Sequence, residues 1–185
     1  MSAINGILTG CNNVQQMYMK RLAARPLTTK MATSFCMTAA SDIVGQAIGG
    51  LPYSVIRTIN FALYSSCFST CINHAWLEYL ERVVMPDNPK SAKSIVSKTL
   101  LDTFLATPPL IGMYLCFIKF AEGRPEEAIA FLAEKYTKTL LNVWKIGIPV
   151  TVTMFAAIPK DLRIPLGSVV GFLFSVFLSV TCVNK

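Results

Sequence analysis

Ionisable side chains are sparse within the apolar runs of this sequence, and their spacing limits the chemistry open to it. Asp42 and Gln46 lie one helical turn apart, inside a run from Leu27 to Leu51 rich in apolar and small residues. Lys98 and Asp102 repeat that spacing, Arg57 opens the next apolar segment, and Arg163 stands just before the last one. A carboxylate at the centre of a membrane helix costs about 2.5–3.5 kcal/mol on insertion scales. Asp42 is therefore expected to face a bundle interior or water, with a partner. Lys98 and Asp102 read as a local ion pair near the interface rather than a proton relay, and Arg163 as partner to a buried carboxylate, either Asp161 or Asp102. Cys67, Cys71 and His74 fall on adjacent turns of one helical face, superficially a metal triplet. Zinc needs a fourth ligand or an open water position, and the chain has 1 histidine. Packing is the better reading, and no metal site is expected. With no recognisable nucleophile–base pair and no glycine-rich phosphate loop, the expectation is a non-enzymatic protein with no cofactor and no catalytic residues.

The elements that must hold these residues follow from the composition. Of 185 residues 53% are hydrophobic and 15% charged, against about 25% charged in a soluble domain; mean hydropathy is +0.50. The six cysteines mostly fall inside apolar segments, where they act as small reduced packing residues. The net charge of +7 comes from basic residues at the ends of apolar runs. That placement suits membrane lipids and snorkelling, not nucleic acid. The predicted architecture is an all-α, multi-span transmembrane helical bundle, a single membrane domain over residues 1–185. It has four to five membrane segments, at about 27–51, 57–79, 95–120, 144–158 and 164–183. Two amphipathic helices accompany them, Asn12 to Arg25 and Glu126 to Leu141, the second lying along the surface with Glu134 and Lys138 paired. Spacing of four also draws ridges of small residues: Gly167, Gly171, Ser175 and Ser179 in the last segment, Ser41, Gly45 and Gly49 in the first, Ala62, Ser66 and Thr70 in the second. Such ridges let backbones approach closely, so Gly171→Leu is expected to disrupt packing more than Val170→Leu. The basic, acid-poor opening, with Lys20, Arg21, Arg25 and Lys30 and no acid before Asp42, suits a mitochondrial address or a positive-inside flank.

Several of these residues occur together in a familiar order. Asp42 and Gln46 match a Gly-Asp-x-x-x-Gln pattern with Ser41 at the glycine; Arg57, His74-x-Trp76 and Leu80 form a second block. Lys98-x-x-x-Asp102 and Pro108 form a third, Trp144-Lys145 a fourth, and Phe155-x-x-Ile158-Pro159-x-x-x-Arg163 a fifth, ahead of Leu178-Ser179. With Tyr18, Leu22, Pro26 and Thr29-Lys30, the chain resembles the Mpv/Sym family of small mitochondrial and peroxisomal membrane proteins over nearly its whole length. The resemblance implies a compact helical protein without cofactor, in the mitochondrial inner membrane or alternatively the peroxisomal membrane, of a kind often described as channel-like. The sequence departs from the family pattern at Thr70-Cys71, Thr103, Gly147-Ile148, Thr151, Met154 and Phe174, where polar or shaped residues have become blander. A pore needs a polar lining. The leading expectation is therefore a structural accessory subunit of a larger membrane complex, with other membrane-protein subunits as partners. The alternatives are an autonomous channel-like pore for ions or small metabolites that affects the membrane potential, with Asp42, Gln46, Arg57 and Asp102 turned to a central path, and a protein-translocase component.

Overall fold

The computed structural model describes residue 13, residues 16–48 and residues 52–183, apart from the side chains of Lys160 and residues 174–183. The described residues form helices joined by short turns, with no strand among them. Residues 16–24 make α1. Arg25 breaks it ahead of Pro26, because the residue before a proline avoids the helical region. Pro26 then begins α2 (Pro26–Ile48), where a missing N–H costs nothing. Across the break Leu22 is buried, and the Tyr18 and Thr33 hydroxyls share a 3.1 Å hydrogen bond.

Serine caps start the next two long stretches. The Ser54 hydroxyl accepts the Arg57 N–H, and α3 (Val55–Leu63) passes through a π-helical turn (Tyr64–Ser69) into α4 (Thr70–Val83). The Ser91 hydroxyl accepts the Ser94 N–H, and α5 (Ala92–Leu101) passes through a second π-helical turn (Asp102–Ala106) into α6 (Thr107–Ala121). Gly123, at φ 74°, supplies the left-handed residue that stops α6. The Gly123 N–H reaches the Phe120 carbonyl and the Arg124 N–H the Lys119 carbonyl, the two bonds of a Schellman stop. A short 3-10 turn (Pro125–Glu127) leads into α7 (Ala128–Ala157), and α8 (Lys160–Val183) follows a turn at Ile158 and Pro159.

Two helix groups result. In one, α2 packs along α8 and against α3, the first π-turn and α4; in the other, α7 packs against α5 and α6. Contacts of α4 with α8 close the first group, and contacts of α3 with α6 join the two. Phe61 supplies part of that seam, its ring edge-on to Tyr114 and Phe117, while Tyr64 stacks on Phe117 at 4.2 Å.

Two stretches, Ala92–Ala121 and Pro125–Ala157, are long and apolar enough to cross a membrane. Their 30 and 33 residues, at about 1.5 Å each, reach about 45 and 50 Å against about 30 Å of hydrocarbon, enough to cross it with tilt or overhang. They are not soluble core helices. Ile129 is 74% exposed and Phe120 61%, and only Ala128 and Phe155 of α7 are buried. Two crossings by length and composition are fewer than the four to five expected. Hydroxyls and Lys30 dilute the apolar character of α2, as Asn60, Asn73 and His74 do along α3 and α4. The final apolar run, from Ile164, falls partly on side chains outside the described residues. A second expectation changes shape: Glu126 to Leu141 is no separate surface helix, since Glu126 and Glu127 end the 3-10 turn and the rest is the first half of α7. Glu134 there pairs with Lys135 rather than Lys138.

Candidate functional site

Between the two helix groups lies a cavity of about 580 Å³. It is walled by α2, α3, α4, α6, α7 and α8, and both π-turns reach it, through Tyr64, Ser65 and Ser69 and through Asp102. The extra residue of a π-turn displaces one carbonyl and re-aims side chains, a distortion common at functional sites. Both turns close alike: Thr70 bonds the Ser65 carbonyl through its N–H and its hydroxyl, and Thr107 does the same to Asp102.

Charge of both signs lines the cavity, as Asp42, Arg57, Asp102 and Arg163. Asp42 sits in a saturated cluster. The Thr58 hydroxyl and the Gln46 amide each donate to its Oδ2 at 2.6 Å, and the Arg57 Nε donates to Oδ1 at 3.2 Å. The Gln46 carbonyl oxygen accepts the Ser54 N–H at 2.7 Å, tying the cluster to the cap of α3. The guanidinium of Arg57 lies 5.5 Å above the Phe61 ring. Sequence spacing places Asp42 beside Gln46 and leaves its cation open; the fold supplies Arg57 from the neighbouring helix, and Asp42 thus has the partner that an intramembrane carboxylate requires.

A second hub forms around Glu81. The Lys98 ammonium donates to Glu81 Oε2 at 3.0 Å, and the Arg163 guanidinium donates to Oε1. Arg163 also donates to the Ile158 carbonyl at 3.2 Å and stands 4.7 Å over the Phe155 ring. This corrects two expectations. Lys98 does not pair with Asp102, and Arg163 takes neither Asp161 nor Asp102 as its carboxylate. A helical i,i+4 spacing permits contact but does not compel it. Lys98 lies at the end of α5 that faces Glu81, whereas Asp102 begins the π-turn and is re-aimed toward Trp76, whose indole N–H donates to it at 3.0 Å.

Trp144 performs a related task. In a regular helix the Thr103 carbonyl would accept from Thr107, but that N–H goes to Asp102, and Pro108, the next residue, has none to give. The indole of Trp144 fills the gap, donating to the Thr103 carbonyl at 3.0 Å. The ring also packs edge-on to Phe104 at 5.1 Å. The Tyr136 hydroxyl donates to the Pro108 carbonyl at 3.3 Å, so α7 braces α6 where the prolines weaken its backbone ladder.

A hydroxyl triad spans three helices on the cavity wall: the Thr70 and Ser34 hydroxyls meet at 2.8 Å, and Ser34 meets Ser168 at 3.1 Å. His74 faces Lys30, with Nδ1 3.5 Å from the buried ammonium, which also lies 3.8 Å from Asp161. Among the described residues no group of three or more potential metal ligands is assembled, and Cys67 is exposed while Cys71 is half-buried. Pro159 lies exposed in the α7–α8 turn, its carbonyl accepting the Leu162 N–H.

The small-residue ridges have a mixed fate. Gly45, Gly167 and Gly171 line the cavity. A Cβ on Gly167 would stand 3.4 Å from the Met154 methyl, already in van der Waals contact, whereas nothing lies within 4 Å of one on Gly171. The close seam expected at Gly171 is thus open space, because that face of α8 looks into the cavity. Gly49 lies outside the described residues, as do the Ser175 and Ser179 side chains. The residues missed from sequence are Glu81, Ser34, Ser168 and Lys30. Glu81 stands beside Arg82 at the edge of an apolar run and reads as flank; the hydroxyls read as small ridge residues.

Thr151 and Met154, two of the positions where the sequence departs from the pattern of the family it resembles, both face the cavity. Comparison with known proteins gives the following. The model of the Mpv17 / PMP22 family matches residues 119–179. Protein SYM1 of Gibberella zeae is 27% identical over 170 residues, covering 88% of this chain and 93% of that protein. Mitochondrial inner membrane protein Mpv17 of Caenorhabditis elegans is 27% identical over 165 residues, covering 86% and 88%. Peroxisomal membrane protein 2 of Bos taurus is 22% identical over 171 residues, covering 88% and 86%. No solved structure matches.

Proposed function

Because this chain belongs to the Mpv17 / PMP22 family, we propose that it is a channel-like protein whose central cavity admits water and small polar solutes. Its place is the mitochondrial inner membrane, the location named in its nematode relative; the peroxisomal membrane, named in its bovine relative, is the alternative. One observation carries the channel reading. A cavity of about 580 Å³ is walled by Asp42, Arg57, Asp102, Arg163 and serine and threonine hydroxyls, inside a bundle whose outer faces are apolar. Buried polar surface of that extent costs free energy unless it is hydrated or filled. The charges are of both signs and mostly paired, which favours small neutral or zwitterionic solutes over a strongly ion-selective pore. The test is solute release from liposomes holding the purified protein. Release above protein-free vesicles, altered by Asp42→Ala, supports the reading; no release, with Asp42→Ala indistinguishable, removes it.

The accessory-subunit reading is retained as the second. What favours it is α7, a 30-residue helix with only Ala128 and Phe155 buried, whose long free face suits a neighbouring subunit as well as lipid. Native gels of mild detergent extracts that show the protein only near its own mass would sink it.

A further inference from the structure

Away from the central cavity, a groove of about 750 Å³ runs between α1 and the first half of α2. Arg21 and Arg25 stand at one end, one helical turn apart; Ala32, Cys36 and Met37 continue its floor along α2. Both guanidiniums are exposed, and among the described residues no carboxylate lies within ion-pair distance of either. The first turn of α2 contains no acid, and the first carboxylate in the sequence is Asp42. The Thr29 hydroxyl donates to the carbonyls of Arg25 and Arg21, at 2.8 and 3.2 Å, so the bend that presents both arginines is fixed. The positive end of the α2 dipole points the same way. Beyond the arginines, Ala32, Cys36 and Ala40 keep the exposed face of α2 uncharged and low in profile as far as Ile43, which is 45% exposed.

We propose that this groove is a binding site for an anionic phospholipid, with the phosphate between Arg21 and Arg25 and an acyl chain laid along α2 past Ala32 and Cys36. Two unneutralised guanidiniums at the head of an apolar trough match a ligand with one anionic and one hydrocarbon end. A zwitterionic lipid fits less well, because its ammonium would meet two arginines and no carboxylate. Free phosphate would satisfy the arginines and leave the trough empty; a protein helix would need apolar anchors wider than the alanine strip accepts. Of the residues lining the groove only Met37 also lines the central cavity, and both arginines stand outside it.

The test is native mass spectrometry of the full chain released from mild detergent after equilibration with equal amounts of phosphatidylcholine and phosphatidylglycerol. The wild type is expected to retain phosphatidylglycerol in preference. The double variant Arg21→Gln, Arg25→Gln should lower that retention about tenfold, on the scale of charge-assisted contacts. Ala32→Trp, which fills the trough and keeps both charges, should lower it comparably, and Lys135→Gln on α7 should leave it unchanged. Equal retention of the two lipids overturns the site. So does loss of phosphatidylglycerol to competing inorganic phosphate at equal concentration, or indifference to Ala32→Trp, which would leave only a non-specific positive surface.

Discussion

The Glu81 hub offers the sharpest perturbation. Its carboxylate bridges Lys98, whose side chain is 1% exposed, and Arg163, 9% exposed. In Glu81→Gln the amide oxygen can accept from only one of these cations, and its NH2 faces the other. Removing one partner of a buried pair leaves an uncompensated charge and costs about 3–5 kcal/mol. Arg163 keeps the Ile158 carbonyl and the Phe155 ring, whereas Lys98 donates to no other described residue, so most of the loss falls on Lys98. That places the expected cost near the lower end, about 3 kcal/mol. At about 2–4 °C per kcal/mol for a chain of this length, Tm should fall roughly 6–12 °C in thermal unfolding followed by circular dichroism in mild detergent. The cost should reverse in part when Lys98→Met is added, because the stranded cation is then gone. The surface control is Arg82→Gln, which breaks an exposed i,i+4 pair with Glu78 and should cost at most about 0.5 kcal/mol. If Glu81→Gln unfolds no earlier than Arg82→Gln, or Lys98→Met adds a further full loss, the hub is not a buried ion cluster.

Other consequences can be measured in the same format. Trp144→Phe keeps the ring against Phe104 and removes the indole N–H, so the Thr103 carbonyl loses its donor; the expected cost is about 1–3 kcal/mol in thermal stability. Gly167→Leu should destabilise more than Gly171→Leu, because its first added carbon already meets Met154; equal Tm values would contradict the open space at Gly171. In the α6–α7 turn, the hydrogen bond from Lys119 holds the Glu122 carboxyl below its usual range, against the opposing effect of desolvation and with help from Arg124. A depressed carboxylate pKa gives stability that is complete above the unfolded-state value and is lost as pH falls through the folded one. Melting curves at descending acidic pH should therefore show a smaller acid-side loss in Glu122→Gln than in the wild type.

The long-range pattern was legible because it is written in periodicity. Apolar runs and their punctuation at Pro26, Gly123 and Pro159 locate the start of α2, the end of α6 and the α7–α8 turn to within a few residues. The helical pairing of Asp42 with Gln46 is local and survives into the structure. What sequence could not reveal depends on rotation and contact. Whether Lys98 turns to Asp102 or to Glu81 follows from the π-turn at Asp102, which one-dimensional spacing does not encode. Gly171 and Gly167 are equivalent as small residues and both line the cavity, yet one has open space before it and the other a methionine. The amphipathic start of α7 looked separable because its charges end near Lys145, but nothing at that point breaks the backbone. Asp42, Arg57 and Asp102, which the channel expectation turned to a central path, line the cavity; Arg163 joins them there, and Gln46 is buried behind Asp42 without lining it.

Solute release from proteoliposomes carrying Gly171→Phe tests the channel reading most directly. Gly171 lines the cavity with open space where a side chain would stand, so phenylalanine should enter the path while leaving the fold intact. Wild-type protein is expected to release a small neutral solute faster than protein-free vesicles, and the variant, with unchanged Tm, to release it severalfold more slowly. Release from wild type no faster than from empty vesicles, or a rate untouched by Gly171→Phe, would contradict the reading of the cavity as a conducting path.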